Sequence, residues 1–193
     1  AKGILKINQL RDYALVFING KQVATLDRRL NQDSILIDAG NKEALLDILV
    51  ENNGRINYGY YLNDNLHGIT ESVSLNKIDL QDWQMYRLPM TDIAQINYKA
   101  DQHPNGPLFR KGTFKLSTIS DTYLDMSQWG KGHVWINGRS IGKYWCLGPQ
   151  QTLYVPAQWL KKGDNEIVIF EQLTPDQQVL HSLSKPILDK LQK

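Results

Sequence analysis

Residues 132–145 read GHVWINGRSIGKYW: an apolar run, Val134-Trp135-Ile136, runs into Asn137-Gly138 and a second, shorter stretch follows to Trp145. Asn-Gly between two strand-like runs is the strongest short-range hairpin signal, because both central residues of a type I′ turn need positive φ. Nearly the same phrase, ALVFINGKQVATL, stands at residues 14–26. Val16, Ile18, Asn19 and Gly20 match Val134, Ile136, Asn137 and Gly138 identically, and Phe17, Lys21 and Val23 face Trp135, Arg139 and Ile141. The register continues: Ser34–Ile37 falls on Thr152–Val155, and Leu46–Glu51 is aligned with Glu166–Glu171, making Glu51 and Glu171 equivalent strand ends. A hairpin followed by two strands, present twice, means two copies of one β unit. A solenoid would need at least three shorter repeats.

Composition is compatible with this reading. At 193 residues the chain suffices for one large or two modest cores. Its net charge of +2, without a basic block, argues against nucleic acid as a partner. No apolar stretch approaches a membrane span, and the residues after Ala1 do not resemble a signal peptide. A single cysteine, Cys146, excludes an internal disulfide framework and a cysteine-based metal cluster. The four histidines, His67, His103, His133 and His181, show no ligand spacing, so no metal site is expected. Any signal peptide would lie upstream of this stretch, which leaves a periplasmic or extracellular location open.

Short β-branched runs separated by turn residues predict strands at 4–7, 14–18, 22–26, 34–37 and 45–51. Further strands are expected at 84–88, 108–115, 122–125, 133–137, 153–156 and 166–172. This spacing without βα alternation argues for antiparallel sandwiches. Short helical turns are expected at 157–160 and 79–83, and weak helical periodicity follows Thr174. The boundary is placed at 76/77: a first β-sandwich over 1–76, and a second with the C-terminal tail over 77–193.

The stretches LRDYALVFINGKQVATLDR, LDILVENNGRINYG and DTYLDMSQWGKGHVWINGRSIGKYWCLGPQQTLYVPAQWLKKGDNEIVIFE resemble the C-terminal, non-catalytic part of family 35 glycoside hydrolases, the β-galactosidases. The resemblance implies two jelly-roll sandwiches of the galactose-binding-like fold, behind a catalytic (β/α)8 barrel absent from this chain. It further implies that the parent cleaves terminal β-galactosyl groups with retention, using two barrel glutamates. Retention requires two carboxyls about 5–5.5 Å apart, one of raised pKa. Nothing here replaces them. Asp121 and Asp125 sit in a loop-to-strand passage suited to turn hydrogen bonds, there is no Gly-x-Ser-x-Gly elbow, and Gly130-Lys131-Gly132 is too short for a phosphate loop. No catalytic residue and no cofactor is therefore assigned to this chain, which is expected to be inactive alone.

Sugar sites stack an aromatic face on the ring and hydrogen-bond its hydroxyls. Suitable groups are Tyr58, Tyr60 and Tyr61 beside Arg55 and Asn57, and Trp145 near Arg139 and Gln150-Gln151. The substrate-proximal candidates are Tyr58, Asn57, Arg55 and Trp145. Aromatics and arginines are equally enriched at interdomain contacts, which is the preferred reading for these loops. The expected partners are the barrel of the same polypeptide and a β-galactoside. Two further readings compete: an autonomous carbohydrate-binding module and a structural adhesion module. A related pair from another glycosidase family is a third.

Trp129, Trp135 and Trp159 read as structural, Trp159 as a plug at the end of the sandwich, and Trp83 and Tyr86 as the start of the second sandwich. Val16 follows only fifteen residues, whereas about fifty-five residues of the second copy precede Val134. A jelly roll needs roughly eight strands. The first sandwich is therefore expected to lack strands upstream of Ala1. An unpaired edge is expected at Ile4–Ile7 or a neighbouring strand, hidden by a second copy, the tail or the second sandwich.

Overall fold

The computed structural model describes residues 2–99 and 106–191; His103 lies outside them. The chain divides into two compact units, Ala1–Arg87 and Leu88–Lys193. The first contains β1 (Lys2–Ile7), β2 (Leu10–Arg11), β3 (Tyr13–Ile18), β4 (Lys21–Asp27), β5 (Ser34–Asp38), β6 (Leu46–Glu51), β7 (Gly68–Ile69), β8 (Val73–Leu75) and β9 (Ile78–Asp79). These form antiparallel sheets in the orders β5-β1-β8-β9 and β4-β3-β6, with β2 paired to β7. Alternation puts Leu5 and Ile7 of one sheet and Ala14, Val16 and Ile18 of the other into a shared core, closed by Leu26, Ile37 and Val73.

The second unit contains β10 (Leu108–Leu116), β11 (Thr122–Asp125), β12 (Lys131–Ile136), β13 (Arg139–Trp145), β14 (Thr152–Val155), β15 (Gly163–Glu171) and β16 (His181–Leu183). Its sheets run β10-β15-β12-β13 and β14-β11-β16. Leu124, Leu153 and Val155 face Val134, Ile136 and Ile169, with Met126, Trp129, Tyr144 and Leu160 filling the rest. Each unit is an all-β antiparallel sandwich.

The repeated phrase performs the same task twice. Asn19 and Gly20 have φ of 51° and 76°, Asn137 and Gly138 50° and 78°, as a type I′ turn requires. Both hairpins carry a register shift at the same place, between Val16 and Phe17 and between Val134 and Trp135. The turn asparagine has a second role. Asn19 N–H donates to Leu45 O at 2.9 Å while its Oδ1 accepts from Leu45 N–H at 2.9 Å. Asn137 makes the same two bonds with Glu166, at 2.9 and 3.0 Å. The side chain thus ties each hairpin to the third strand of its sheet.

This geometry corrects the repeat by one residue. Val16 pairs with Ile48, and Val134 with Ile169. Glu171 is therefore equivalent to Val50, not Glu51. Side chains alternate faces along a strand, so the single-residue slip turns Glu171 towards the core.

Several expected elements take another form. Residues 84–88 make no strand: Met85 and Tyr86 are 92% and 81% exposed. Tyr86 therefore does not begin the second sandwich, and Trp83, in the first unit, does not either. Among the described residues, no partner strand stabilises that run. The helical turn expected at 79–83 is replaced by β9, which pairs with β8 across Asn76-Lys77, both at positive φ. That turn lies where the boundary 76/77 was expected, and the compact units part between Arg87 and Leu88. The tail is extended rather than helical: β16 pairs with β11, and Ile187 exchanges bonds with Gln151 N–H and Thr152 Oγ1. The turn at Ala157–Trp159 is present as a 3-10 turn. Pairing with β14 and β11 overrides the tail's loose periodicity.

Candidate functional site

The tyrosine-rich segment leaves β6 and has no regular structure until β7. Asn53 N–H donates to Asp12 Oδ2 at 3.1 Å, and Ile56 N–H to Asn65 Oδ1 at 2.8 Å, which folds the segment back on itself. These tethers present Tyr58, Tyr60 and Tyr61, 91%, 99% and 73% exposed, with Arg55 and Asn57 also exposed beside them. Three aromatic rings held in water by a loop form an apolar surface with polar tips.

Trp145 belongs to the second unit. It lines a cleft of about 180 Å³ with Lys143, Pro149, Gln150 and Gln151. Lys131 Nζ lies 4.8 Å from the centre of its ring, a cation–π contact. The grouping with Gln150 and Gln151 is thus observed. Arg139 is not part of it, because its guanidinium stacks over Trp159 at 5.7 Å. Gln150 Nε2 donates to Thr152 O, and Gln151 Nε2 to Cys146 O and Lys190 O, so the cleft's floor is braced by the tail.

Three carboxylates singled out in the sequence, Glu171, Asp125 and Asp121, accept hydrogen bonds from backbone N–H groups. Glu171 is 0% exposed. Its Oε1 accepts from Lys131, Leu173 and Thr174 N–H at 3.2, 2.7 and 3.0 Å, and its Oε2 from Gly130 N–H at 3.0 Å and the Tyr144 hydroxyl at 2.8 Å. Gly132 makes room for this: a Cβ there would lie 1.7 Å from Phe170 O and 2.6 Å from the Tyr144 hydroxyl. In the first unit the equivalent positions are Val50, Leu26 and Ala14, an apolar trio. The Tyr144-Gly132 departure from Leu26-Ala14 was the sequence signal for this buried centre, and the off-by-one alignment concealed it.

Asp125 Oδ1 accepts from Ser127 N–H at 2.9 Å. Asp121 accepts from Ala157 N–H at 2.7 Å, which lowers its pKa, with the Tyr154 hydroxyl acting in the same direction. A carboxyl depressed in the folded state stabilises it above the unfolded pKa, and loses that contribution as pH falls through the folded value. We expect Asp121→Asn to weaken the turn at 157–159 at pH 7 and to flatten the acid limb of the stability profile below pH 4. Acid titration followed by circular dichroism checks both. Burial pushes the Cys146 thiol up, and the nearby Glu171 charge adds to it, so it is a poor nucleophile at neutral pH. Among the described residues no group of three or more His, Cys, Asp or Glu side chains is placed to hold a metal ion.

Comparison with known proteins accords with this geometry. Residues 1–89 match the family model "Beta-galactosidase, first all-beta domain", and residues 107–165 match "Beta-galactosidase, galactose-binding domain". A β-galactosidase of Xanthomonas manihotis is 40% identical over 154 residues, covering 80% of this chain and 26% of its own length. Human β-galactosidase-1-like protein 2 is 35% identical over 179 residues, covering 89% and 28%. β-Galactosidase 1 of Dictyostelium discoideum is 36% identical over 193 residues, covering 88% and 28%. The chain thus spans little more than a quarter of the length of these relatives. It belongs to the β-galactosidase family, of which it carries the first all-β domain followed by the galactose-binding domain.

Proposed function

We propose that this chain is the accessory sandwich pair of a β-galactosidase and supports a catalytic barrel of the same polypeptide, which performs the retaining hydrolysis of terminal β-galactosyl groups. The observation that carries this reading is the match of the two units, in order, to the two all-β domains of the family. The burial of Glu171 agrees with it, since this carboxylate is shut off from solvent and accepts five hydrogen bonds from its own fold. Purified chain is expected to release no chromophore from a p-nitrophenyl β-galactoside. Turnover that disappears when one of its own carboxylates is replaced would overturn the assignment.

The exposed tyrosines are the surface best suited to meet the barrel or an aglycone at its entrance. Tyr58 offers a ring wall and a hydroxyl. In the whole enzyme, Tyr58→Ala is expected to change kcat/KM between galactosides several-fold while stability stays within about 0.5 kcal/mol, as for a side chain in solvent. Identical kinetics across a panel of galactosides would remove Tyr58 from the site.

A second reading, carbohydrate binding by the chain itself, is favoured by the Trp145 cleft. There Trp145, Gln150 and Lys143 line a space of about 180 Å³. Saturation transfer from the isolated chain to galactose, lost in Trp145→Ala, would support it.

A further inference from the structure

Asn-Gly occurs at 19–20, 53–54 and 137–138 among the described residues, and a fourth such asparagine, Asn105, lies outside them. The pair is chemically labile. The peptide nitrogen of the glycine attacks the asparagine Cγ, a C–N bond forms and ammonia leaves; glycine permits the approach because it has no Cβ. Water then opens the succinimide at one carbonyl or the other, giving aspartate or isoaspartate. The sequence needs no oxidant and no enzyme. It needs an asparagine amide able to turn onto the next peptide nitrogen.

The hairpins deny that movement. Asn19 Oδ1 accepts from Leu45 N–H at 2.9 Å. Asn137 is held at both ends of its amide: Oδ1 accepts from Glu166 N–H at 3.0 Å, and Nδ2 donates to Trp159 O at 2.8 Å and Asn165 Oδ1 at 2.9 Å. Strand ladders clamp both turns. Asn53 differs on each count. It lies beyond the end of β6 in a segment without regular structure. Its Nδ2 is buried with no hydrogen-bond partner among the described residues, so no bond is broken when the amide turns.

We propose that Asn53 is a site of spontaneous deamidation, and that its conversion releases the tyrosine segment. Asn53 N–H donates to Asp12 Oδ2 at 3.1 Å, one of the two tethers of that segment. Asp12 stays with Arg28, whose guanidinium donates to its Oδ1 at 3.0 Å. The new carboxylate arises on residue 53, beside the Asp12 carboxylate and in place of a buried amide. Like charge and burial both disfavour an ionised group there. Isoaspartate also diverts the main chain through the former side chain. Either product moves residue 53 off Asp12 and leaves the Ile56–Asn65 bond as the remaining tether described for Tyr58, Tyr60 and Tyr61. The inference is independent of the enzymatic reading.

The test incubates the 193-residue chain at mildly alkaline pH and follows each asparagine by peptide mass, with aspartate and isoaspartate separated. Asn53 should convert at least tenfold faster than Asn19 and Asn137 in the folded chain. In urea the three rates should come within about twofold of one another, because the hairpins no longer protect two of them. Gly54→Ala should slow Asn53 at least fivefold; the glycine is not at positive φ and an added Cβ meets nothing within 4 Å, so the variant fits the fold. Release is read separately in Asn53→Asp, whose residue-53 amide should exchange with solvent at least tenfold faster than in the parent after correction for intrinsic rates. Conversion of Asn53 no faster than that of the hairpin asparagines, a preference that persists in urea, or a rate unmoved by Gly54→Ala overturns the site. Unchanged protection of amide 53 in Asn53→Asp overturns the release. The comparison of folded with urea-unfolded chain stands whether or not either variant folds.

Discussion

Glu171→Ala should lower the stability of the second sandwich by about 3–5 kcal/mol, the range for removing one partner of a buried charged network. Four backbone N–H groups and the Tyr144 hydroxyl converge on this carboxylate. Deleting it leaves donors stranded where water does not reach, each costing about 1–3 kcal/mol if nothing relaxes. Glu171→Gln keeps the shape but turns an NH2 towards other donors, and should cost about 2–4 kcal/mol. The measurement is convenient: Trp129, Trp135, Trp145 and Trp159 lie in the second unit and only Trp83 in the first, so tryptophan fluorescence during urea unfolding reports mainly the second. A Glu171→Ala midpoint indistinguishable from the parent's would show that these bonds are not the anchor described. A uniform shift of both units would also count against it.

Trp129→Ala is the other large effect, about 3–5 kcal/mol, as for a core tryptophan leaving a cavity. Trp129 is 2% exposed and meets Tyr144 edge-on, with ring centres 6.5 Å apart and planes at 80°. Its Nε1–H is buried without a hydrogen-bond partner among the described residues. Trp129→Phe therefore forfeits no hydrogen bond and should cost less than half as much as the alanine change. Equal losses for the two substitutions would mean that the nitrogen, not the ring volume, matters. Tyr144 touches both Trp129 and Glu171, so the double variant Trp129→Ala/Glu171→Ala should destabilise by less than the sum.

Much of the architecture was legible because it depends on local chemistry. Asn-Gly at 19–20 and 137–138 demands positive φ, and β-branched runs on either side leave a type I′ hairpin as the readable outcome. The same phrase twice announced two copies, and the turn acceptors at Asp121 and Asp125 were readable as such. Gln84–Leu88 misled for the converse reason. Its composition suits a strand, yet a strand exists only where a neighbour supplies hydrogen bonds, and no neighbour is visible in a linear pattern. The tail misled similarly, since weak helical periodicity yields to pairing with β11 and β14. Among the candidate residues, the aromatic and polar composition of loop 55–61 was readable as a contact surface for a sugar or a neighbouring domain, but its exposure is a tertiary fact. The separation of Arg139 from Trp145 was not, because it depends on Trp159 lying under the guanidinium.

By itself the sequence determined the fold class, the duplication and the absence of a cysteine framework, all consequences of residue type and spacing. Only tertiary structure decided the register between the copies, and with it the role of Glu171. In a strand, one residue of slip exchanges core for solvent, and only the pairing of Val134 with Ile169 says which face Glu171 takes. Tertiary structure likewise located the open edge at β6 rather than at Ile4–Ile7. β1 is flanked by β5 and β8, whereas β6 pairs with β3 alone among the described residues, and an unpaired strand is defined by the neighbour it lacks.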